Sequence, residues 1–199
     1  MAKEYLTKRR LDPNKFYFAQ KFQEWTNKQK QTFDNIVRDE CRIVIPLYDT
    51  NSELIGFQGR SLVPNSIKYI TVMLNDSKPK IYGLEKVNEE KPIYIVEGPF
   101  DSTLVENSVA MCGSDIDIRT FGWSDYIWVF DNEPRNREIN NRISKVIDRG
   151  DKVVIWPSHI MQKDINDMVL SDIDVSSVLQ SSTYSGLKAK VKFNNWKKI

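Results

Sequence analysis

Two apolar runs that end in acidic residues constrain the fold of this chain most strongly. Residues 94–96 form a β-branched, apolar run that ends at Glu97, and residues 126–130 form a second run that ends at Asp131. In open α/β folds the chemistry lies at the carboxyl ends of parallel strands. If the two strands lie side by side, their ends bring Glu97, Asp131 and Glu133 together.

The segment from residue 97 to residue 133 is strongly acidic, with eight acidic residues and one basic residue, Arg119. Carboxylates crowded into one place repel each other unless some of them are protonated or a cation lies among them. Because the ligands would all be oxygen atoms, the pattern favours a hard ion such as Mg²⁺ or Mn²⁺.

The residues after Glu97 fit a turn into a helix. Gly98 permits a sharp turn or a close approach of the backbone. Pro99 suits the first turn of a helix, where its missing N–H is not needed. Asp101 then lies in that first turn, where the helix dipole favours a negative charge.

Composition is that of a globular protein, with 40% hydrophobic and 28% charged residues among 199 and a formal net charge of +2. This length suits one large domain or two small ones. No apolar run approaches membrane-spanning length, and no signal-peptide pattern is present. Residues 183–199 carry five lysines and no acidic residue.

Cysteine and histidine are too few for a zinc site. Cys41 and Cys112 lie far apart in strand-like runs, and His159 is the single histidine. This usage predicts two buried thiols in a reducing compartment. Four tetrahedral ligands of the structural zinc type cannot be assembled from them.

The chain divides into two patterns, followed by a basic tail. In the first, a hairpin of strands at 40–48 and 53–62 precedes a third strand at 68–74, after a short helix at 4–12 and a mixed segment at 15–38. From residue 92 onward strands alternate with helical segments, which predicts a parallel sheet with right-handed crossovers. The strands are expected at 93–97, 109–112, 126–130 and 152–156, with helices at 100–107, near 116–121 and at 136–149. The predicted domains are 1–90, 91–182 and a basic helix in 183–199.

Several stretches together resemble the Toprim-domain DNA primases of bacteria and phages. Residues 96–101 resemble the glutamate motif of Toprim domains, and residues 130–133 resemble their Asp-x-Asp motif, with Glu133 replacing the second aspartate. Toprim domains also occur in topoisomerases and nucleases. Residues 42–60 resemble the strand pair that precedes Toprim in primases, residues 81–84 the segment joining the two parts, and residues 163–167 a Lys-Asp-x-Asn-Asp segment of phage primases.

The resemblance implies a fold and a reaction. The fold is α/β: a Toprim-like parallel sheet with flanking helices, preceded by a small mixed α+β subdomain. The reaction is RNA primer synthesis on single-stranded DNA by a DNA-directed RNA polymerase, a nucleotidyl transfer that uses two or more Mg²⁺ or Mn²⁺ ions. The family's zinc ribbon and helicase-binding domain have no counterpart here, so the sequence resembles the catalytic core alone, as a phage protein or a fragment.

The resemblance also implies roles for individual residues. Glu97 is expected to be a metal ligand or a general base, with Asp131 and Glu133 as metal ligands. Asp101 and Asp164 are expected to be further ligands, although either could instead cap a helix. The predicted contacts to nucleotide or DNA phosphates come from basic residues: Arg60, Lys78, Lys80 and Lys163. Arg60 is the best supported, because it follows Gly59 on a strand whose glycines suggest that something approaches closely.

The implied partners are a single-stranded DNA template, ribonucleoside triphosphates, a replicative helicase and a separate zinc-bearing protein for template recognition. The expected location is the cytoplasm, of the host if the protein is phage-encoded, with no membrane association. Two alternatives stay open: a Toprim nuclease, which would not need the strand pair at 42–60, and a non-catalytic nucleic-acid-binding subunit.

Overall fold

The structure, a computed structural model, describes residues 1–113 and 117–199. The described residues form two compact units, one made of Met1–Glu85 with residues 112–113 and the other of Lys86–Met111 with the chain from Asp117 to Ile199. The three-part division predicted from the sequence stays a prediction. No helix within the described ranges is long and apolar enough to cross a membrane.

The first unit is built on a four-stranded antiparallel sheet in the order β1-β2-β3-β4. The predicted hairpin is confirmed, with Ile45 opposite Gln58. A cluster of Phe22, Val44, Phe57 and Val72 forms the core where α2 packs on the sheet. The elements are α1 (Ala2–Lys8), β1 (Tyr17–Ala19), α2 (Phe22–Gln29), β2 (Arg42–Tyr48), β3 (Leu54–Ser61), β4 (Tyr69–Met73) and β5 (Ile81–Tyr82), with 3₁₀ turns at Pro13–Lys15 and Leu84–Lys86.

The glycines of β3 serve internal packing. A Cβ atom on Gly59 would lie 2.4 Å from the ring of Phe22, and one on Gly56 would lie 2.7 Å from the carbonyl oxygen of Val72. These distances leave no room for any side chain at either position. The close approach that the glycines predict is made by the protein itself, and the contact of Arg60 with a phosphate stays a prediction.

The second unit contains the predicted parallel sheet. Its strands lie in the order β10-β9-β8-β6-β7, and all neighbours run parallel except the antiparallel pair β10 and β9. The elements are β6 (Ile93–Val96), α3 (Pro99–Ser102), β7 (Ser108–Met111), β8 (Tyr126–Trp128), α4 (Arg137–Asp148), β9 (Lys152–Val154), α5 (Ile165–Leu170), α6 (Val175–Ser181), β10 (Thr183–Tyr184) and α7 (Gly186–Trp196), with a 3₁₀ turn at Ile118–Phe121.

Helix α4 illustrates how local sequence sets this unit. The side chain of Asn136 accepts hydrogen bonds from the amides of Glu138 and Ile139 and so caps the helix at its start. Its apolar side chains recur at helical spacing and are buried: Ile139, Ile143, Val146 and Ile147. This spacing buries one face of the helix and leaves the other in solvent.

Some elements differ from the prediction. Helix α3 ends at Ser102 instead of residue 107, and the expected segment near 116–121 begins at a residue outside the described range. The short strand β10 and the helix α6 were not predicted. The basic helix of the tail is confirmed as α7, which buries Ala189, Phe193 and Trp196.

Cys112 is buried and Cys41 half-buried, and within the described residues neither forms a disulfide bond. Burial raises the pKa of the Cys112 thiol to about 12, so this side chain stays protonated and apolar in character.

Candidate active site

The carboxyl ends of β6 and β8 bring Glu97 and Asp131 into contact. The two strands are parallel neighbours, with Ile95 opposite Trp128. Glu97 is the next residue after β6, and its Oε2 atom accepts a hydrogen bond of 3.1 Å from the backbone N–H of Asp131. The proximity predicted from the two strand ends is therefore present in the fold.

Asp131 lies at the centre of a group of carboxylates. Burial raises the pKa of Asp131 to about 7, together with the negative charges of Glu97, Asp101 and Asp164, while Lys163 opposes the shift. Because a like charge affects a pKa only at short range, these four carboxylates share one small region. We refer to Glu97, Asp101, Asp131 and Asp164 as the acidic cluster.

Two members of the acidic cluster also fix the start of α5. Oδ1 of Asp164 accepts a hydrogen bond of 2.8 Å from the N–H of Asp167 and caps the helix. Oδ1 of Asp101 accepts one of 3.1 Å from the N–H of Asn166. The sequence presented helix capping and a place in the acidic site as alternatives for Asp164. In the structure Asp164 does both.

Arg142 on α4 is the counter-ion of Glu97, and sequence reasoning missed it. Its Nη1 atom donates to Oε1 of Glu97, and its guanidinium lies 4.9 Å from the ring centroid of Phe130. Both carboxylate oxygens of Glu97 are therefore engaged inside the protein. No local motif marks Arg142, because the contact depends on how α4 packs on the sheet.

Glu133 is paired with Lys163. The Lys163 Nζ atom lies 3.2 Å from Oε1 of Glu133, and this contact is the main reason that the pKa of Lys163 is raised. The amide of Asn136 also donates to Glu133, at 3.4 Å. Lys163, which was predicted to bind phosphates, thus balances the charge of a predicted metal ligand.

Asn132 anchors the loop that carries Asp131 and Glu133. Its side-chain nitrogen donates to the carbonyl oxygens of Ile160 and Gln162 at 2.9 and 3.0 Å. Its side-chain oxygen accepts a hydrogen bond of 3.0 Å from Nε1 of Trp196, at the end of α7. The middle residue of the acidic motif is therefore held on both sides, by the loop after β9 and by the basic helix.

Gly98 adopts an ordinary extended conformation, with φ −123° and ψ 147°. Any residue can adopt this conformation, so of the two roles predicted for Gly98, a sharp turn or a close approach, the backbone angles do not require the first. A Cβ atom here would lie 3.4 Å from Oδ2 of Asp101, so the glycine mainly leaves space beside the acidic cluster.

Comparison with known proteins identifies relatives among the DNA primases. No protein-family model matches the chain. The DNA primase of Enterobacteria phage T4 is 35% identical over 167 residues, which are 80% of this chain and 48% of that protein. The chain is a relative of the DNA primases. It spans about half the length of the phage T4 protein.

Solved structures show the same fold. The E. coli primase catalytic core superposes with a TM-score of 0.67 at 19% identity, covering 98% of this chain and 76% of that one. The DnaG primase catalytic domain bound to single-stranded DNA gives a TM-score of 0.68 at 17% identity, with the same coverages. The predicted primase-core fold, an α/β architecture with a Toprim-like sheet, is confirmed.

The first unit of this primase relative holds the other predicted phosphate contacts. Arg60 donates to the hydroxyl of Tyr5 at 3.0 Å and lies 4.9 Å from the ring centroid of Tyr69. Its Nε and Nη1 atoms are buried and have no hydrogen-bond partner among the described residues. Buried donors without acceptors are costly, and an anionic ligand would satisfy them.

Lys78 and Lys80 differ in their surroundings. The Nζ atom of Lys78 lies 2.8 Å from Oδ2 of Asp49, a carboxylate whose side chain is only 5% exposed. This hydrogen bond is the largest cause of the lowered pKa of Asp49. Lys78 is therefore tied to the fold of the first unit, whereas Lys80 is exposed to solvent.

Proposed function

We propose that the chain is the catalytic core of a DNA primase, which synthesises short RNA primers on single-stranded DNA by nucleotidyl transfer. The observation that carries this proposal is the acidic cluster at the strand ends of a primase-core sheet. The acidic cluster does not serve stability, since like charges crowded around a buried Asp131 oppose folding.

The chemistry of the acidic cluster fits a divalent cation. Among the described residues, no three acidic, histidine or cysteine side chains converge closely enough to coordinate an ion as they stand. Arg142 pairs with Glu97 and Lys163 pairs with Glu133. For either carboxylate to bind a metal ion, the metal ion must replace the paired side chain. The donor atoms are all carboxylate oxygens, which suit Mg²⁺ or Mn²⁺.

Roles follow for the individual residues. Asp131, Glu97, Asp164 and Glu133 would hold two or more ions, with Asp101 assisting beside Gly98. A bound Mg²⁺ or Mn²⁺ supplies Lewis-acid activation of the attacking hydroxyl and neutralises charge on the phosphates. Glu97 is placed either to bind the ion or to accept the proton of that hydroxyl. Arg60, Lys80 and Lys163 would bind phosphates of the nucleotide or the template, and Lys78 would act there only by giving up Asp49.

The proposed partners are ribonucleoside triphosphates and a single-stranded DNA template. The related DnaG catalytic domain, which has been solved with single-stranded DNA, supports the second of these. A replicative helicase and a separate zinc-bearing protein would supply template recognition, and the expected site of action is the cytoplasm.

The experiment that tests the proposal is incubation with single-stranded DNA, labelled ribonucleoside triphosphates and Mg²⁺ or Mn²⁺. Both oligoribonucleotide synthesis and DNA cleavage are scored. We expect weak, unselective primer synthesis by the isolated chain and stronger synthesis with a hexameric helicase present. DNA cleavage without any primer, even with helicase, would replace the proposal with a nuclease.

Arg60→Ala should weaken the binding of ribonucleoside triphosphates, because it removes a charge-assisted contact of about 1.5–3 kcal/mol. Binding can be measured by equilibrium dialysis with a labelled nucleotide. Lys68→Ala is the matched control, since Lys68 is exposed and also lies over the ring of Tyr69, at 5.6 Å. Equal losses in the two variants would contradict a specific role for Arg60.

Trp196→Phe should weaken Mn²⁺ binding while leaving the fold intact. The substitution keeps an aromatic ring but removes the N–H that donates to Asn132, and a neutral hydrogen bond contributes about 0.5–1.5 kcal/mol. Calorimetric titration with Mn²⁺ should therefore show a loss of affinity of about two- to tenfold. Phe193→Leu, on the same buried face of α7, is the control for helix packing. If both variants lose the same Mn²⁺ affinity, the hydrogen bond has no positioning role.

A further inference from the structure

The second unit contains a cavity whose basic lining residues play no part in the proposed chemistry. Its volume is about 800 Å³, and it lies between the loops that follow β8 and β9 and the C-terminal part of α7. This volume falls within the range of small-molecule sites, roughly 300–1,000 Å³. The side chains that matter for its chemistry are Glu133, Arg135, Trp156, Tyr184, Lys192 and Lys198.

The charge of the cavity is positive and uncompensated. Within the described part of the chain, Arg135, Lys192 and Lys198 have no carboxylate at ion-pair distance, unlike Lys190 on the same helix, which pairs with Asp148 at 3.1 Å. The one acidic residue of the lining, Glu133, is already paired with Lys163. Three cations without an ion-pair partner around one cavity favour an anionic ligand.

The lining also offers aromatic surface. The Nζ atom of Lys192 lies 5.5 Å from the ring centroid of Tyr184, which is half-buried, so a cation and an aromatic ring are neighbours in the lining. Trp156 and Trp196 contribute further aromatic walls. Phosphate-binding cations next to aromatic rings are the combination with which proteins bind nucleotides through charge and base stacking.

We propose that this cavity is a second nucleotide site, distinct from the acidic cluster, which binds a free ribonucleoside triphosphate without a divalent cation. Lys192 and Lys198 bind the phosphates, and Tyr184 packs against the base. The choice of a nucleotide among anionic aromatic ligands rests on the proposed function. Because Glu133 lies in the wall, a nucleotide bound here touches the acidic loop directly.

The test is equilibrium dialysis of the full chain with labelled ATP in excess EDTA, which removes binding that depends on a divalent cation. We expect saturable binding that Lys192→Ala weakens by about three- to tenfold, since one partly exposed charged contact is lost. Lys190→Ala is the matched control: it removes the same charge from the same helix but does not line the cavity. Thermal melting confirms that each variant is folded.

Four results would overturn this inference. One is equal weakening by Lys192→Ala and Lys190→Ala, which would indicate only general attraction of anions. Another is loss of the binding in Arg60→Ala but not in Lys192→Ala. The third is binding of a short oligodeoxynucleotide that depends on Lys192 while ATP does not bind, which would make the cavity part of a strand-binding surface. Primer synthesis without any ATP binding in EDTA would overturn the second site alone. ATP binding in EDTA without any primer synthesis, even with helicase present, would overturn the proposed function.

Discussion

Asp131→Asn should abolish primer synthesis and leave the protein as stable as the wild type or more stable. The amide cannot replace the carboxylate as a ligand for a hard cation. At pH 8, above the raised pKa of about 7, the wild-type side chain is ionised despite its burial and its carboxylate neighbours. Removing that charge should raise the free energy of unfolding by about 0.5–2 kcal/mol. Primer synthesis with Mn²⁺ and urea unfolding at pH 8 measure the two effects.

The matched control for Asp131→Asn is Asp148→Asn, an identical change at an exposed position on α4 that pairs with Lys190. This variant should keep both its activity and its stability within error. If Asp131→Asn lost stability as well as activity, the result would contradict the account, because Asp131 would then be a structural residue.

Gly59→Ala should destabilise the first unit by about 1–3 kcal/mol, the usual cost of overpacking a core. The added methyl group would lie 2.4 Å from the ring of Phe22, which is fully buried, and 3.0 Å from the Cδ atom of Arg42, whose guanidinium donates to the carbonyl oxygen of Gly59. Relief requires movement of α2 or of the sheet. Urea unfolding followed by tryptophan fluorescence, to which Trp25 in the same core contributes, measures the change.

Gly98→Ala is the control for Gly59→Ala, since it adds the same methyl group where the nearest atom is 3.4 Å away and the backbone is extended. It should change the free energy of unfolding by less than about 0.5 kcal/mol. Equal destabilisation by the two substitutions would show that the ring of Phe22 does not limit the space at Gly59.

The strand ends of the acidic cluster could be predicted from the sequence because they depend on local pattern. An apolar run that stops at a carboxylate marks the end of a buried strand, and parallel strands place such ends along one edge of the sheet. Glu97 and Asp131 therefore met as expected. Asp164 also lies near them. Its place at the start of a helix could be predicted from the adjacent sequence.

Residues that act across long sequence separations could not be predicted in this way. Arg142 reaches Glu97 from 45 positions away, and Trp196 reaches Asn132 from 64 positions away. Both contacts depend on the packing of α4 and α7, which no local pattern specifies. The glycines of β3 show the same limit: a glycine on a strand indicates a close approach, but the sequence does not say that the approaching group is Phe22.

Glu133 makes a contact that the sequence prediction did not include. Its carboxylate pairs with Lys163, whereas the prediction placed it beside Asp131 as a ligand. The role of Glu133 as a metal ligand stays a prediction. A structure that contains the ion would show whether Glu133 leaves Lys163 to bind it.

The central claim is that the acidic cluster binds a divalent cation, and a crystal structure with Mn²⁺ tests it most directly through the anomalous signal of the metal. We expect an anomalous peak with Asp131 as a ligand and at least one of Glu97, Glu133 and Asp164 beside it, with Arg142 or Lys163 displaced from its carboxylate. A fully occupied Mn²⁺ site elsewhere, with no peak at Asp131, would contradict the account.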